Sequence, residues 1–256
     1  METLGMNIAA HYLPIFLLVL LRAGLAVAFL PFFSSSMFPG LFRIGFAVAL
    51  AAVITPVVNF PIPARSEIAA VVLRETVLGA ALGFAGRLVF FGIDMAAQVI
   101  NTSMGLSMAT MFNPEMGQTA ELSTLYTMLS MVVFLAADAH HVLIYIFVKS
   151  FEWLPPGGAD IARLAPAVIA MGGRMFVLAL RLSAPVVIAM LAVNLLLGFM
   201  YKAAPLLNVF FIGYPVYIIL GFVMLLLGLP AFMEVMRSSF GSMKGDMLRV
   251  LSAAKG

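Results

Sequence analysis

The chain has 256 residues, of which 64% are hydrophobic and only 10% charged, with a formal net charge of +3 and no cysteine. Soluble domains carry about 25% charged residues, so 14 Lys and Arg with 11 Asp and Glu cannot clothe a water-facing surface of this size. Without cysteine there is no disulfide, thiolate metal site or thiol nucleophile, and no basic run interleaved with aromatics points to nucleic acid.

The first predicted element covers residues 10–33. Residues 1–10 hold Glu2 and no Lys or Arg, unlike the positive start of a signal peptide. The stretch from Tyr12 to Phe33 is long enough to cross a bilayer, which takes about 20 apolar residues, and is expected to stay in the membrane. Ser34, Ser35 and Ser36 with Pro39 and Gly40 punctuate the chain before a second region at 41–60, which closes at Pro61 and Pro63.

A third region, 67–100, would measure about 51 Å as one helix at roughly 1.5 Å per residue. The hydrocarbon core is only about 30 Å thick, so this helix is expected to project beyond it or to break near Gly92. Further regions follow at 122–149, 174–200 and 208–233. The tail from Glu234 reads as a short mixed-charge helix or frayed end at the surface. No segment alternates as a membrane strand does, and lipid leaves backbone groups no outside partner. The fold class is therefore all-α: a polytopic membrane protein with about six hydrophobic helical regions. With cytoplasmic termini, Arg65, Lys149, Arg163, Arg174, Arg237, Lys244, Arg249 and Lys255 fall inside and only Arg43 and Lys202 outside, as the positive-inside rule asks.

Seven charges lie within the apolar regions: Arg22, Arg74, Glu75, Arg87, Asp94, Asp138 and Arg181. At roughly 3 kcal/mol each when facing lipid, they must instead meet protein, water, an interface, one another or partner subunits. Arg87 and Asp94 share a helix face two turns apart, and Asp138 and His141 stand i, i+3, within hydrogen-bonding reach. An ion pathway is one reading. Contacts between helices or subunits are favoured, because a relay usually places acidic groups on several helices at matched depth. His140 and His141 point about 100° apart on a helix, which disfavours shared metal ligation. Gly79 and Gly83 form a GxxxG face suited to close helix packing. No HExxH, GxSxG, P-loop or GxGxxG pattern is present, so no enzyme, cofactor or metal site is expected.

The connection from Asn101 to Thr119 lacks Lys and Arg yet holds Met104, Met108, Met111, Phe112 and Met116. Gly105, Pro114 and Gly117 oppose a continuous helix. Irregular apolar backbone at membrane depth survives only when buried in protein or lining a cavity. From the residues alone, a movable plug in a conduit and an ordinary buried re-entrant loop weigh equally.

Several stretches, taken in order, resemble the FliR family of bacterial flagellar type III export gate subunits along nearly the whole chain. They are Pro31 to Ser35 followed by Pro39 and Arg43, and Glu75 to Gly83 leading to Met104 to Ala109 and Asn113-Pro114. His140-His141 precedes Ser150 to Gly157. Arg181 to Val186 then leads through Asn194 to Gly198, Ala204-Pro205, Asn208 to Phe210 and Gly213 to Pro215. Departures from the family pattern are Lys202 where Arg is common, Leu206 where Gln is common, and Tyr217 where Lys is common.

The resemblance implies a core structural subunit of the flagellar export gate, in the bacterial inner membrane at the flagellar basal body. There it would assemble with FliP, FliQ and an FlhB-like chain around unfolded flagellar export substrates. It implies a FliP-like portion at 10–173, a FliQ-like hairpin at 174–233 and a basic cytoplasmic tail at 234–256. Much of the helical mass would be held by partners as well as by membrane lipid. The loop at 105–123 would be the channel plug, with Met104, Gly105, Met108, Met111, Phe112, Asn113, Pro114 and Met116 as its gate residues. Glu75, Arg87, Asp94, Asp138, His141, Asn194 and Asn208 would serve as polar assembly contacts. The nearest rival is the homologous subunit of a virulence type III secretion system. A rival of another class is a small ion-coupled transporter using Arg87, Asp94 and Asp138.

Overall fold

The computed structural model describes residues 2–29, 39–58, 60, 61, 64, 66–107, 121–204 and 209–255. Among these, the regular structure is entirely helical, as expected: α1 (Glu2–Phe29), α2 (Gly40–Ile54), α3 (Ile68–Ser103), α4 (Glu121–Ala136), α5 (Ala139–Trp153), α6 (Ile161–Ala203) and α7 (Val209–Lys255).

The boundaries depart from the hydropathy reading in four places. The fourth region is two helices, bent by 68° where Asp138 takes a left-handed conformation with φ 53° and ψ 23°. Aspartate visits that basin more readily than most residues. The fifth begins at Ile161, so Arg163 stands in a helix rather than a loop. Asp160 explains the start: its carboxylate accepts the Ala162 N–H at 3.0 Å, satisfying an orphan donor of the first turn. The third region does not break at Gly92. It is one helix of 36 residues, about 54 Å long at the standard rise.

The fourth departure is the tail. It is neither short nor frayed but continues α7 to Lys255, with Met236, Phe240, Met243, Met247, Val250, Leu251 and Ala254 all buried. Their spacing of three and four marks an amphipathic helix. The interleaved Arg237, Lys244, Asp246 and Arg249 hide that stripe from a hydropathy average.

Among the described residues, four helices are long and apolar enough to cross a membrane, or five when the bent α4–α5 pair counts as one span. The six hydrophobic regions thus supply four or five helices of spanning length among the described residues. α2 has 15 residues, about 22 Å at 1.5 Å per residue, short of a hydrocarbon core near 30 Å.

The chain forms two compact units, each assembled from separate stretches of sequence. The first comprises Met1–Leu88, Asp138–Gly173 and Phe240–Gly256. In it, α1 buries Ile15, Leu18, Val19, Ala23, Ala26 and Val27 along one stripe. Ile15, Leu18 and Val19 join Ala51 and Ile54 of α2, together with Val58, Phe60, Val71 and Phe151, in one core. The Phe60 and Phe151 rings stack at 5.9 Å. Large side chains of this kind contribute about 1.5–3 kcal/mol each on full burial.

The expected GxxxG face is a true helix crossing. A Cβ at Gly79 would lie 2.8 Å from the Arg22 carbonyl oxygen, and one at Gly83 would lie 2.7 Å from the Ala26 Cα. Only hydrogen fits between these two backbones, so α1 and α3 approach as closely as small residues permit.

The second unit comprises Val89–Ala137 and Arg174–Ser239. Phe90 meets Phe134 edge-on at 5.5 Å and Tyr126 meets Phe232 at 4.8 Å. Gly92 serves close packing: a Cβ there would lie 3.0 Å from the Met175 carbonyl oxygen and 3.1 Å from Leu178 Cδ2. On α6, Leu178, Leu182, Val186, Met190, Val193 and Leu197 face inward, while Leu180, Ile188, Leu191, Leu195 and Phe199 are exposed. Only 11% of the apolar window in α7 is buried within the chain. An apolar surface of that extent has to be covered by lipid or by other chains.

Candidate functional site

In the first unit, the close crossing at Gly79 brings the α1 backbone near enough for Arg22 to reach Glu75, one turn earlier on α3. Arg22 Nε donates to Glu75 Oε2 at 2.7 Å, Nη1 to Ser150 Oγ at 2.9 Å and Nη2 to the Leu154 carbonyl at 3.0 Å. The guanidinium carbon lies 4.0 Å above the centre of the Phe151 ring. The other Glu75 oxygen accepts the Gly157 N–H at 3.2 Å. Gly157 has φ +86°, and a Cβ on it would approach Val71 Cγ2 to 2.9 Å, so glycine is required there. Arg74 donates to the Gly157 carbonyl.

Arg22 and Glu75 are both fully buried, where an ion pair persists only if its remaining donors and acceptors are matched. Here they are. Both carboxylate oxygens are engaged, so the cluster acts as a clamp on α1, α3, α5 and the Pro155–Gly158 turn. Sequence reasoning named Glu75 but missed Arg22, Ser150, Leu154 and Gly157 as its setting. Partners 53 and more positions apart leave no spacing signal.

Asp138 and His141 do meet, at 3.3 Å, in an exposed pair. The His140 and His141 rings lie 4.1 Å apart, and with Asp138 the three residues bring ligand atoms within 4.8 Å of one another. That is nearer than the helical angle alone suggests. The positive end of the α5 macrodipole opposes a cation at this place. Arg87, on the first-unit part of α3, is half-buried. Asp94, on the second-unit part, accepts from Gln98 Nε2 at 2.8 Å. Asn194 on α6 accepts from the Tyr217 hydroxyl on α7, a polar link between the two helices. Arg181 lines a small cavity of about 40 Å³ with Tyr126, Pro185 and Phe232.

In the second unit, the apolar stripe of α3 runs through Ile93, Ala97 and Ile100 to Met104, all fully buried. Gly105, in the left-handed region at φ +72°, ends the helix. The Leu106 N–H donates to the Asn101 carbonyl at 3.1 Å and the Gly105 N–H to the Thr102 carbonyl at 3.1 Å. These two bonds are the Schellman pattern with glycine at the position after the cap. They fix the direction in which the chain leaves α3. Met108, Met111, Phe112, Asn113, Pro114 and Met116 lie outside the described residues, as does Asn208.

Fold and site together define a polytopic helical membrane protein in which a buried polar cluster joins helices. The chain belongs to the bacterial export proteins, family 1, whose pattern matches residues 13–243, and family membership makes it a structural export component rather than an enzyme. Its relatives include flagellar biosynthetic proteins FliR. That of Bacillus subtilis is 29% identical over 98% of this chain and 99% of its own length. That of Caulobacter vibrioides is 31% identical over 83% and 87%. The secretion system apparatus protein SsaT of Salmonella typhimurium is 28% identical over 62% of each chain.

Proposed function

We propose that this chain is a core subunit of the flagellar type III export gate in the bacterial inner membrane. It assembles there with FliP- and FliQ-like chains, and with an FlhB-like chain at the entrance, around a conduit for unfolded flagellar subunits. The observation that carries this reading is the end-to-end correspondence with the Bacillus FliR, 98% of one chain on 99% of the other. The uncovered apolar face of α7 supports assembly with further membrane chains. The loop at 105–123 closes the conduit, with Met104 and Gly105 at its root and Met108, Met111, Phe112, Asn113, Pro114 and Met116 along it. The plug that the family resemblance implies at this place and the Schellman exit from α3 support that role.

Deletion in the native bacterium tests the proposal. Cells are expected to lose motility while retaining flagellin, and the intact gene is expected to restore both motility and secretion. Normal flagellin secretion after deletion contradicts it. The likeness to SsaT keeps a second reading, a subunit of a virulence secretion system. Under that reading motility survives the deletion and secretion of virulence proteins stops.

A further inference from the structure

Asp138 stands immediately before α5 yet does not cap it. An aspartate at such a place ordinarily turns its carboxylate onto an amide of the first turn, as Asp160 does ahead of α6. The Asp138 side chain makes no capping hydrogen bond. Its left-handed backbone, φ 53° and ψ 23°, leaves the carboxylate exposed, with Oδ1 3.3 Å from His141 Nδ1. Side chains of adjacent helical residues normally diverge by about 100°. His140 and His141 nevertheless hold their rings 4.1 Å apart, and one ligand atom from each of the three residues lies within 4.8 Å of the others. All three residues belong to the first unit.

We propose that Asp138, His140 and His141 together bind a zinc ion. Two imidazole nitrogens and one carboxylate oxygen suit zinc and its late transition-metal neighbours rather than magnesium or calcium, which take oxygen ligands. A tetrahedron with zinc–ligand bonds of about 2.1 Å has edges of about 3.4 Å, and the Asp138–His141 separation of 3.3 Å already matches one. The other separations shorten by turning the imidazoles about χ1 and χ2. Three protein ligands leave the fourth position to water, as in an open zinc site. The positive end of the α5 dipole opposes the ion with about half an elementary charge, and the Asp138 carboxylate offsets that with a whole negative one. Bound zinc ties the left-handed residue to the first turn of α5 by side chains, where no capping hydrogen bond does so. The chain has three histidines and no cysteine, so His11 is the only other imidazole that could compete.

The test is zinc binding to the full-length chain, purified in detergent without a polyhistidine tag and stripped of metal. One zinc per chain is expected, undisturbed by excess magnesium, together with a rise in unfolding temperature. Cobalt(II) in place of zinc is expected to give the intense visible absorption of a tetrahedral site. His140→Gln and His141→Gln should each weaken zinc binding by about a hundredfold, since removing a group that merely orients a ligand already costs about 10–100-fold. His11→Gln should leave it unchanged. Asp138→Asn keeps a residue tolerant of the left-handed basin, so its weaker binding reads the lost ligand even where a histidine variant fails to fold. Absence of zinc binding to the folded native chain overturns the proposal. So does undiminished binding in folded Asp138→Asn or in a folded histidine variant, and so does binding that disappears with His11→Gln.

Discussion

Arg22 on α1 and Glu75 on α3, 53 residues apart in sequence, form an ion pair at 2.7 Å with no solvent exposure on either side chain. Each of the three guanidinium nitrogens donates to an acceptor, and both carboxylate oxygens accept. Removing one partner leaves the other charged, buried and unmatched. Glu75→Ala is therefore expected to cost about 3–5 kcal/mol. Replacing both, as in Arg22→Met with Glu75→Leu, should recover a large part of that loss. Thermal unfolding of the detergent-purified chain checks both, and a double variant less stable than either single one contradicts the account.

The α1–α3 crossing makes a sharper demand. A side chain at Gly83 collides with backbone atoms of Ala26, which cannot swing aside as a flexible side chain does. Gly83→Val should separate the helices and pull Arg22 from Glu75, costing at least the 1–3 kcal/mol or so typical of overpacking. Gly45→Val, where a Cβ meets nothing within 4 Å, serves as the control. Equal amounts of folded protein from the two variants would show that the crossing is not close.

The bend between α4 and α5 hangs on the φ of +53° at Asp138. Asp138→Gly should preserve or slightly raise stability. Asp138→Val forces a branched residue into a basin that costs about 1–3 kcal/mol. Comparing the unfolding temperatures of the two variants tests this, and the opposite order would place the bend elsewhere.

Residues beyond Ser239 belong to the core of the first unit. Truncation there removes Phe240, Met243, Met247, Val250 and Leu251, each no more than 1% exposed. It also removes the Ala254 carbonyl, which accepts the Asp160 N–H at 2.9 Å. The shortened chain should fail to accumulate, whereas removal of only Lys255 and Gly256 should have little effect. Immunoblotting of membranes distinguishes them, and normal accumulation after truncation at Ser239 would mean a dispensable tail.

Much of the helical pattern was legible in the sequence because the apolar segments and their Pro and Gly punctuation are strong local signals. The GxxxG face at Gly79 and Gly83 was legible for the same reason. What escaped was set by other parts of the chain. The stripe from Met236 to Ala254 is half polar by composition, and only its periodicity betrays burial. Asp138 ends a helix through a backbone basin that hydropathy does not encode. Arg22 was legible as a charge that needs a partner, but Glu75, Ser150 and the Leu154 carbonyl come to it only through tertiary packing. Met104 was legible as apolar, but the Gly221 it packs against lies more than a hundred residues away.

The role of the 105–123 loop is tested most directly by the conductance of the assembled complex in a planar bilayer, comparing the native chain with one carrying small residues at Met108, Met111 and Phe112. The account predicts a closed native complex and a variant that passes ions and small solutes in the absence of export substrate. A fully assembled variant as tight as the native complex would contradict it.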